Sequence, residues 1–129
     1  MSKAHLSRAA LCCALFGLGF SNPAQAEPMK LKIGVLTDLS GPYSDFAGQG
    51  SVAATQMAVD DCLKAECKGM QIDVVSADHQ NKADIALGIA RKWFETENVD
   101  ALTDVVNAAV QLAIQSLVRE KKKVVLFPG

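Results

Sequence analysis

"IGVLTDLSGPYSDFAGQGSVAATQMAVDD", residues 33–61, decides the fold. The run Ile33 to Leu36 is apolar and β-prone, and with Leu31 and Lys32 it predicts a first strand. A polar loop carrying Gly41, Gly48 and Gly50 follows. Then Val52, Thr55, Val59, Cys62 and Leu63 recur at helical spacing, with Gln56, Asp60 and Lys64 on the opposite face. A strand, a glycine-bearing loop and an amphipathic helix in that order open an α/β unit, and the loop lies where such units hold their ligands. Two occupants fit such a loop, a nucleotide phosphate or a small solute held in a cleft.

The rest of the chain repeats the alternation. After Gly69, Gln71 to Ser76 predicts a second strand. Asn81 with Asp84 three residues on reads as a helix start, and Ala86, Ile89, Ala90 and Trp93 then fall on one stripe. Ala101 to Asp104 predicts a third strand, and a third helix carries Val110, Ala113, Ile114 and Leu117 inward with Gln111, Gln115 and Arg119 outward. Val124 to Phe127 predicts a fourth strand. Strands alternating with helices of this length imply parallel pairing, right-handed crossovers and helices on both sheet faces. The expected class is α/β, a three-layer αβα sandwich. Because the fourth strand runs straight into Pro128-Gly129 with no helix to cover it, residues 27–129 read as part of a longer protein.

The first residues stand outside this pattern. Lys3, His5 and Arg8 precede the apolar run Ala9 to Phe20, and Pro23 and Ala24-Gln25-Ala26 follow, the layout of a secretory signal peptide spanning residues 1–26. The apolar run is about a dozen residues, short of the roughly 20 that cross a bilayer as a helix. Leu11 before Cys12 argues against lipid attachment, so a free exported protein is expected. Loss of Lys3 and Arg8 lowers the 13 basic residues to 11 against 14 acidic ones, a net charge of about −3 that favours neither nucleic acid nor an anionic membrane. Lys121-Lys122-Lys123 reads as a solvated helix end complementing the dipole.

Export leaves Cys62 and Cys67 in an oxidising compartment, where they form either a disulfide closing a very short loop or two separate thiols. The spacing is not C-x-x-C, and with His79 as the one histidine after residue 26 no zinc site is expected.

Gly48-Gln49-Gly50-Ser51-Val52-Ala53 spells the dinucleotide fingerprint G-x-G-x-x-A, and Asp78 supplies an acidic residue near the end of the second strand. The first glycine, however, lies about a dozen residues beyond the strand instead of in the tight turn after it. No Gly-Lys-Ser/Thr follows the glycines, and Ser40 and His79 define no triad. Asp60-Asp61 lies inside a helix, not after the first strand as a phospho-acceptor pair would. Catalysis thus has no good candidate among these motifs, and no cofactor is expected.

Open parallel sheets bind ligands beyond the carboxyl ends of their strands. Three loops reach that edge: Thr37 to Gly48, Ala77 to Asn81 and Asp104 to Ala109. In the third, Asn107 can cap the helix while the N–H groups of Ala108 and Ala109 point outward, an arrangement suited to a carboxylate but also that of an ordinary capped helix. Tyr43 and Phe46 in the first loop either wall a ligand or pack on the start of the first helix.

The strings "IGVLTDLSGPYSDFAGQG", "VVSADHQNKADIALGIARKWF" and "VREKKKVVLFPG" resemble the type I periplasmic solute-binding proteins of ABC importers, in the branched-chain amino-acid (leucine/isoleucine/valine) family, across Leu31 to Gly129. That resemblance implies two α/β lobes closing over a small solute, of which residues 27–129 would form part of the N-terminal lobe. It implies a periplasmic location, a membrane ABC permease as partner, a monomer at full length and no nucleic-acid partner. By the same resemblance Phe46 and Tyr43 lie near the ligand, and Asn107-Ala108-Ala109 matches the carboxylate-binding loop. Relatives commonly carry serine or threonine where Ala108 and Ala109 stand, and "ADHQNKAD" resembles the branch associated with aromatic acids. The implied solute is therefore an amino acid or related carboxylate; the alternatives are an aromatic acid or another non-amino-acid solute, or a sensor ectodomain or exported enzyme built on the same first-lobe fold.

Overall fold

The computed structural model describes residues 27–127, so the signal-peptide reading of residues 1–26 and the Pro128-Gly129 turn lie outside the described residues. Among the described residues four strands and three helices alternate: β1 Lys30–Thr37, α1 Gly48–Lys64, β2 Gln71–Asp78, α2 Ala83–Thr96, β3 Ala101–Thr103, α3 Ala108–Lys121 and β4 Val124–Leu126. All pairings are parallel, in the order β2-β1-β3-β4. Thr37 pairs with Asp78 and Val35 with Thr103, so the carboxyl ends of β1, β2 and β3 lie along one sheet edge.

Alternation along the strands sends side chains to two different layers. Leu36 and Leu102 join Ala86, Ala90, Trp93 and Phe94 of α2 and Val110, Ile114, Leu117 and Val118 of α3 in the principal core. On the opposite face Leu31, Ile33 and Ile72 meet Thr55, Ala58, Val59 and Cys62 of α1 across a groove of about 360 Å³. The result is the three-layer sandwich. α1 serves β1 and β2, and Leu126 on β4 stays 63% exposed.

Element ends depart from the sequence reading for local reasons. β3 stops at Thr103 because Asp104 takes a left-handed backbone conformation, φ 65°, which cannot extend a ladder. Asn81 does not cap α2. It sits at φ 56° after Gln80 at φ 51°, and Lys82 takes the cap position without a side-chain bond. Asn81 is instead committed to partners outside the helix, described below. Phe127 lies beyond β4 and packs against the core.

The lysine triplet is more than a solvated end. Lys121 pairs with Glu95 of α2 at 2.7 Å, Lys122 is the left-handed C-cap of α3 and Lys123 lies 5.7 Å above the Phe94 ring. Cys62 and Cys67 are joined as a disulfide at the end of α1.

Candidate functional site at the sheet edge

The loop after β1 is shaped by two carboxylates, Asp38 and Asp78, the second of which the sequence offers only as the acidic residue of a dinucleotide fingerprint. Asp38, fully buried, accepts the N–H groups of Gly41 at 2.8 Å and Tyr43 at 3.0 Å. Asp78 accepts from Leu39 N–H at 2.9 Å, Ser40 Oγ at 2.6 Å and Gln80 N–H at 2.8 Å. The Ser-Gly-Pro-Tyr turn is thus pinned from its own strand and from β2. An aspartate just after β1 and another at the last position of β2, each followed within three residues by turn-forming Gly or Asn, is the available signal, because Asp readily bonds backbone N–H groups a few residues on.

Desolvation pushes the Asp78 carboxyl up. The Ser40 hydroxyl, the Leu39 and Gln80 N–H groups and the nearby His79 outweigh it, and its pKa falls below the usual carboxylate value.

The pinned turn leads into Tyr43 and Phe46. Phe46 is 81% exposed and does not pack on the start of α1, while Tyr43 is 38% exposed. Gly48 begins α1 at φ 46°, separated from β1 by this whole loop, so the fingerprint glycines occupy the first turn of a helix and not a tight strand-to-helix turn.

At the neighbouring strand end Asn107 caps α3, its Oδ1 accepting from Ala109 N–H at 2.8 Å and Val110 N–H at 3.1 Å. The expectation that both alanine N–H groups point outward is corrected: the cap takes that of Ala109. Ala108, at the first helical position, keeps an N–H with no intrahelical acceptor. Since Oδ1 faces two donors, the other amide atom of Asn107 must be Nδ2, and it donates to Asn81 Oδ1 at 2.6 Å. Asn81 N–H in turn donates to His79 Nδ1 at 3.0 Å. One chain of hydrogen bonds therefore runs from the end of β2 to the N-terminus of α3.

His79 is fully buried, and burial lowers its pKa against the opposing influence of Asp38, Asp78 and Asp104. Its Nε2 is a buried atom without a partner, as are Thr37 Oγ1 and Asp104 Oδ2, all three on residues at the carboxyl ends of strands. Among the described residues no group of three or more His, Cys, Asp or Glu side chains is placed to hold a metal.

The arrangement offers a rim with exposed aromatic surface on one loop and, on the next, a helix N-terminus carrying backbone and amide donors. Chemically it can hold an anionic group beside an apolar one.

The family model that matches, described as periplasmic binding protein, covers residues 30–129. A crystal structure of a branched-chain amino-acid ABC transporter periplasmic ligand-binding protein from Burkholderia xenovorans is 50% identical, with TM-score 0.69, over 74% of this chain and 25% of that one. A periplasmic binding protein from Burkholderia mallei is 44% identical, with TM-score 0.71, over 78% and 26%. The branched-chain amino-acid transporter substrate-binding protein LivJ of Streptococcus pneumoniae, solved with isoleucine, shares the fold at 22% identity and TM-score 0.69, over 78% and 29%. The chain thus spans about a quarter of the length of these structures. No curated protein gives a significant match.

Proposed function

The chain belongs to the periplasmic binding protein family, and from that premise we propose that the full-length protein captures a small carboxylate-bearing solute in the periplasm and delivers it to an ABC permease. Residues 27–129 are read as part of its N-terminal lobe and residues 1–26 as its export signal. The family is one of binding proteins, not of enzymes, and its location is periplasmic.

The observation that supports the reading most is the tie between Asn81 and Asn107, which sets the loops after β2 and β3 side by side at the edge that also carries Phe46. In this reading Tyr43 and Phe46 wall the apolar part of the solute. The N–H of Ala108 and the second Nδ2 hydrogen of Asn107 meet its carboxylate, and Ala108 and Ala109 border it.

The protein of Burkholderia xenovorans is described as a branched-chain amino-acid transporter component, which supports an amino-acid solute. The aromatic-carboxylate reading is favoured by one feature of the rim. With Ala109 N–H taken by the cap and alanines at 108 and 109 offering no hydroxyls, few donors remain for the carboxylate of either class, so binding leans on the apolar part of the solute. An aromatic ring beside Phe46 would gain more of its binding from apolar contact.

The test is a thermal-shift panel on the full-length protein with L-leucine, L-isoleucine, L-valine, benzoate and phenylacetate. The expected result is a melting temperature that rises with the concentration of one of these classes and leaves the solute unchanged. Chemical turnover of the solute, or no response to any of them, would overturn the proposal.

A further inference from the structure

We propose that His79 is a positioning residue for the binding rim: its unprotonated Nδ1 holds Asn81, Asn81 orients Asn107, and Asn107 presents the N-terminus of α3. The proposal deepens the solute-binding reading and rests on it for its consequence, though not for its geometry.

The assignment follows from donors and acceptors alone. A backbone N–H only donates, so the 3.0 Å contact from Asn81 N requires a lone pair on His79 Nδ1. In the neutral ring the proton then sits on Nε2. The positive φ of Asn81, 56°, folds its backbone back toward the imidazole and carries its side chain to Asn107, 26 residues further along the chain. Asn107 Oδ1 is already occupied by two helix N–H groups, so its amide has a single usable orientation. Each step leaves the next one choice. His79 is fully buried and half-buried Asn81 and Asn107 approach the surface, so the chain transmits from the interior outward to the rim.

Protonation of Nδ1 turns the acceptor into a donor facing another donor. The charged groups that act on the ring are Asp38 from the β1–α1 loop, Asp78 from the end of β2 and Asp104 from the β3–α3 loop; all three, with the backbone carbonyl of His79 itself, favour the imidazolium, while burial, the largest influence, favours the neutral ring. The fold thus keeps His79 neutral against three carboxylates, and acid releases Asn81. A solute carboxylate held at the rim would be released at the same step.

Two variants separate positioning from mere packing. Asparagine at position 79 can place its amide oxygen where Nδ1 stands and does not titrate, whereas leucine has similar bulk and no acceptor. In full-length protein labelled with ¹⁵N-histidine, long-range proton–nitrogen correlation at neutral pH is expected to show His79 as the Nε2–H tautomer; the Nδ1–H tautomer would overturn the proposal.

Hydrogen-exchange protection of the Asn81 amide is expected to fall at least tenfold in His79→Leu, to persist in His79→Asn, and to drop on acidification in the wild type but not in His79→Asn. Equal protection in all three proteins, or a wild-type amide whose protection ignores pH, would also overturn it. Affinity for L-leucine and benzoate is measured in parallel. If neither binds the wild type the solute-binding reading fails, while tautomer and exchange still decide the role of His79.

Discussion

The ring of Trp93 fills the space that a side chain at position 34 would need: a Cβ on Gly34 would come within 2.5 Å of Trp93 Cζ3 and 2.9 Å of Leu102 Cδ2. This close approach lets α2 lie directly on β1 at the centre of the sheet. Gly34→Ala is therefore an overpacking change, expected to cost about 1–3 kcal/mol. Trp93→Ala empties the same space and is expected to cost about 3–5 kcal/mol. Urea denaturation of each variant measures both, and a Gly34→Ala protein as stable as the parent would show that α2 does not rest on β1 in this way.

The periodic parts of the fold were legible and the long-range parts were not. Ala86, Ala90 and Trp93 announced the buried stripe of α2 because helical spacing is written in consecutive residues. Phe94, also buried, lay outside that stripe because α2 is covered on a wider face by β1 and α3. Asn107 was legible as a cap, since a cap needs only its own next few residues. Asn81 looked like another cap and is not, because its side chain answers to Asn107, a relation no local pattern encodes. In the sequence His79 reads only as a candidate catalytic or zinc-ligating residue. Its role as an acceptor depends on two successive left-handed residues, Gln80 and Asn81, that turn the chain back on it.

The turn that carries Tyr43 depends on the Asp38 carboxylate. A Cβ on Gly41 would come within 2.5 Å of Asp38 Oδ1, so Gly41→Ala must displace the group that holds the turn. Asp38→Ala leaves the N–H groups of Gly41 and Tyr43 without their acceptor, expected to cost about 1–3 kcal/mol. Both changes move the aromatic rim, so both are expected to weaken solute binding by tenfold or more in calorimetric titration of the full-length protein. Unchanged affinity in Gly41→Ala would remove Tyr43 and Phe46 from the site.

Asp78 sets an acid limit on stability. Its folded-state pKa lies below the ordinary value of 3.8, so its contribution is fully present above that value and is lost as pH falls through the folded pKa. His79 acts in the same direction. Its folded pKa lies below 6.5, so between the two values the unfolded chain binds the proton more readily and stability falls toward acid. In Asp78→Asn the slope of unfolding free energy against pH is expected to flatten below about 4, and in His79→Asn below about 6.5. Parallel slopes in variant and parent would show that these groups are not linked to folding.

The Cys62–Cys67 disulfide closes a loop with a sequence separation of only 5, so chain entropy gives it about 2 kcal/mol at most. Removing both thiols by Cys62→Ser with Cys67→Ser is expected to lower stability by that amount or less and to leave solute affinity unchanged, because the bond lies at the end of α1, opposite to the rim. A large loss of affinity in the double variant would tie the far end of α1 to the binding edge.

Asn107 separates the stability of α3 from the chemistry of the rim. Asn107→Ala removes the acceptor for Ala109 and Val110 N–H and is expected to cost about 1 kcal/mol, as loss of a helix cap does. Asn107→Asp keeps that acceptor and adds a negative charge that the helix N-terminus favours, offset by lost donation to Asn81 Oδ1. Stability is therefore expected to remain within about 1 kcal/mol of the parent. Binding should respond the other way. A carboxylate at position 107 repels an anionic solute and cannot donate to it, so Asn107→Asp is expected to lose at least tenfold in affinity and more than Asn107→Ala does. The comparison is made by denaturant titration and calorimetry on the same full-length proteins. An Asn107→Asp variant that binds its solute as tightly as the parent would place the carboxylate elsewhere on the sheet edge.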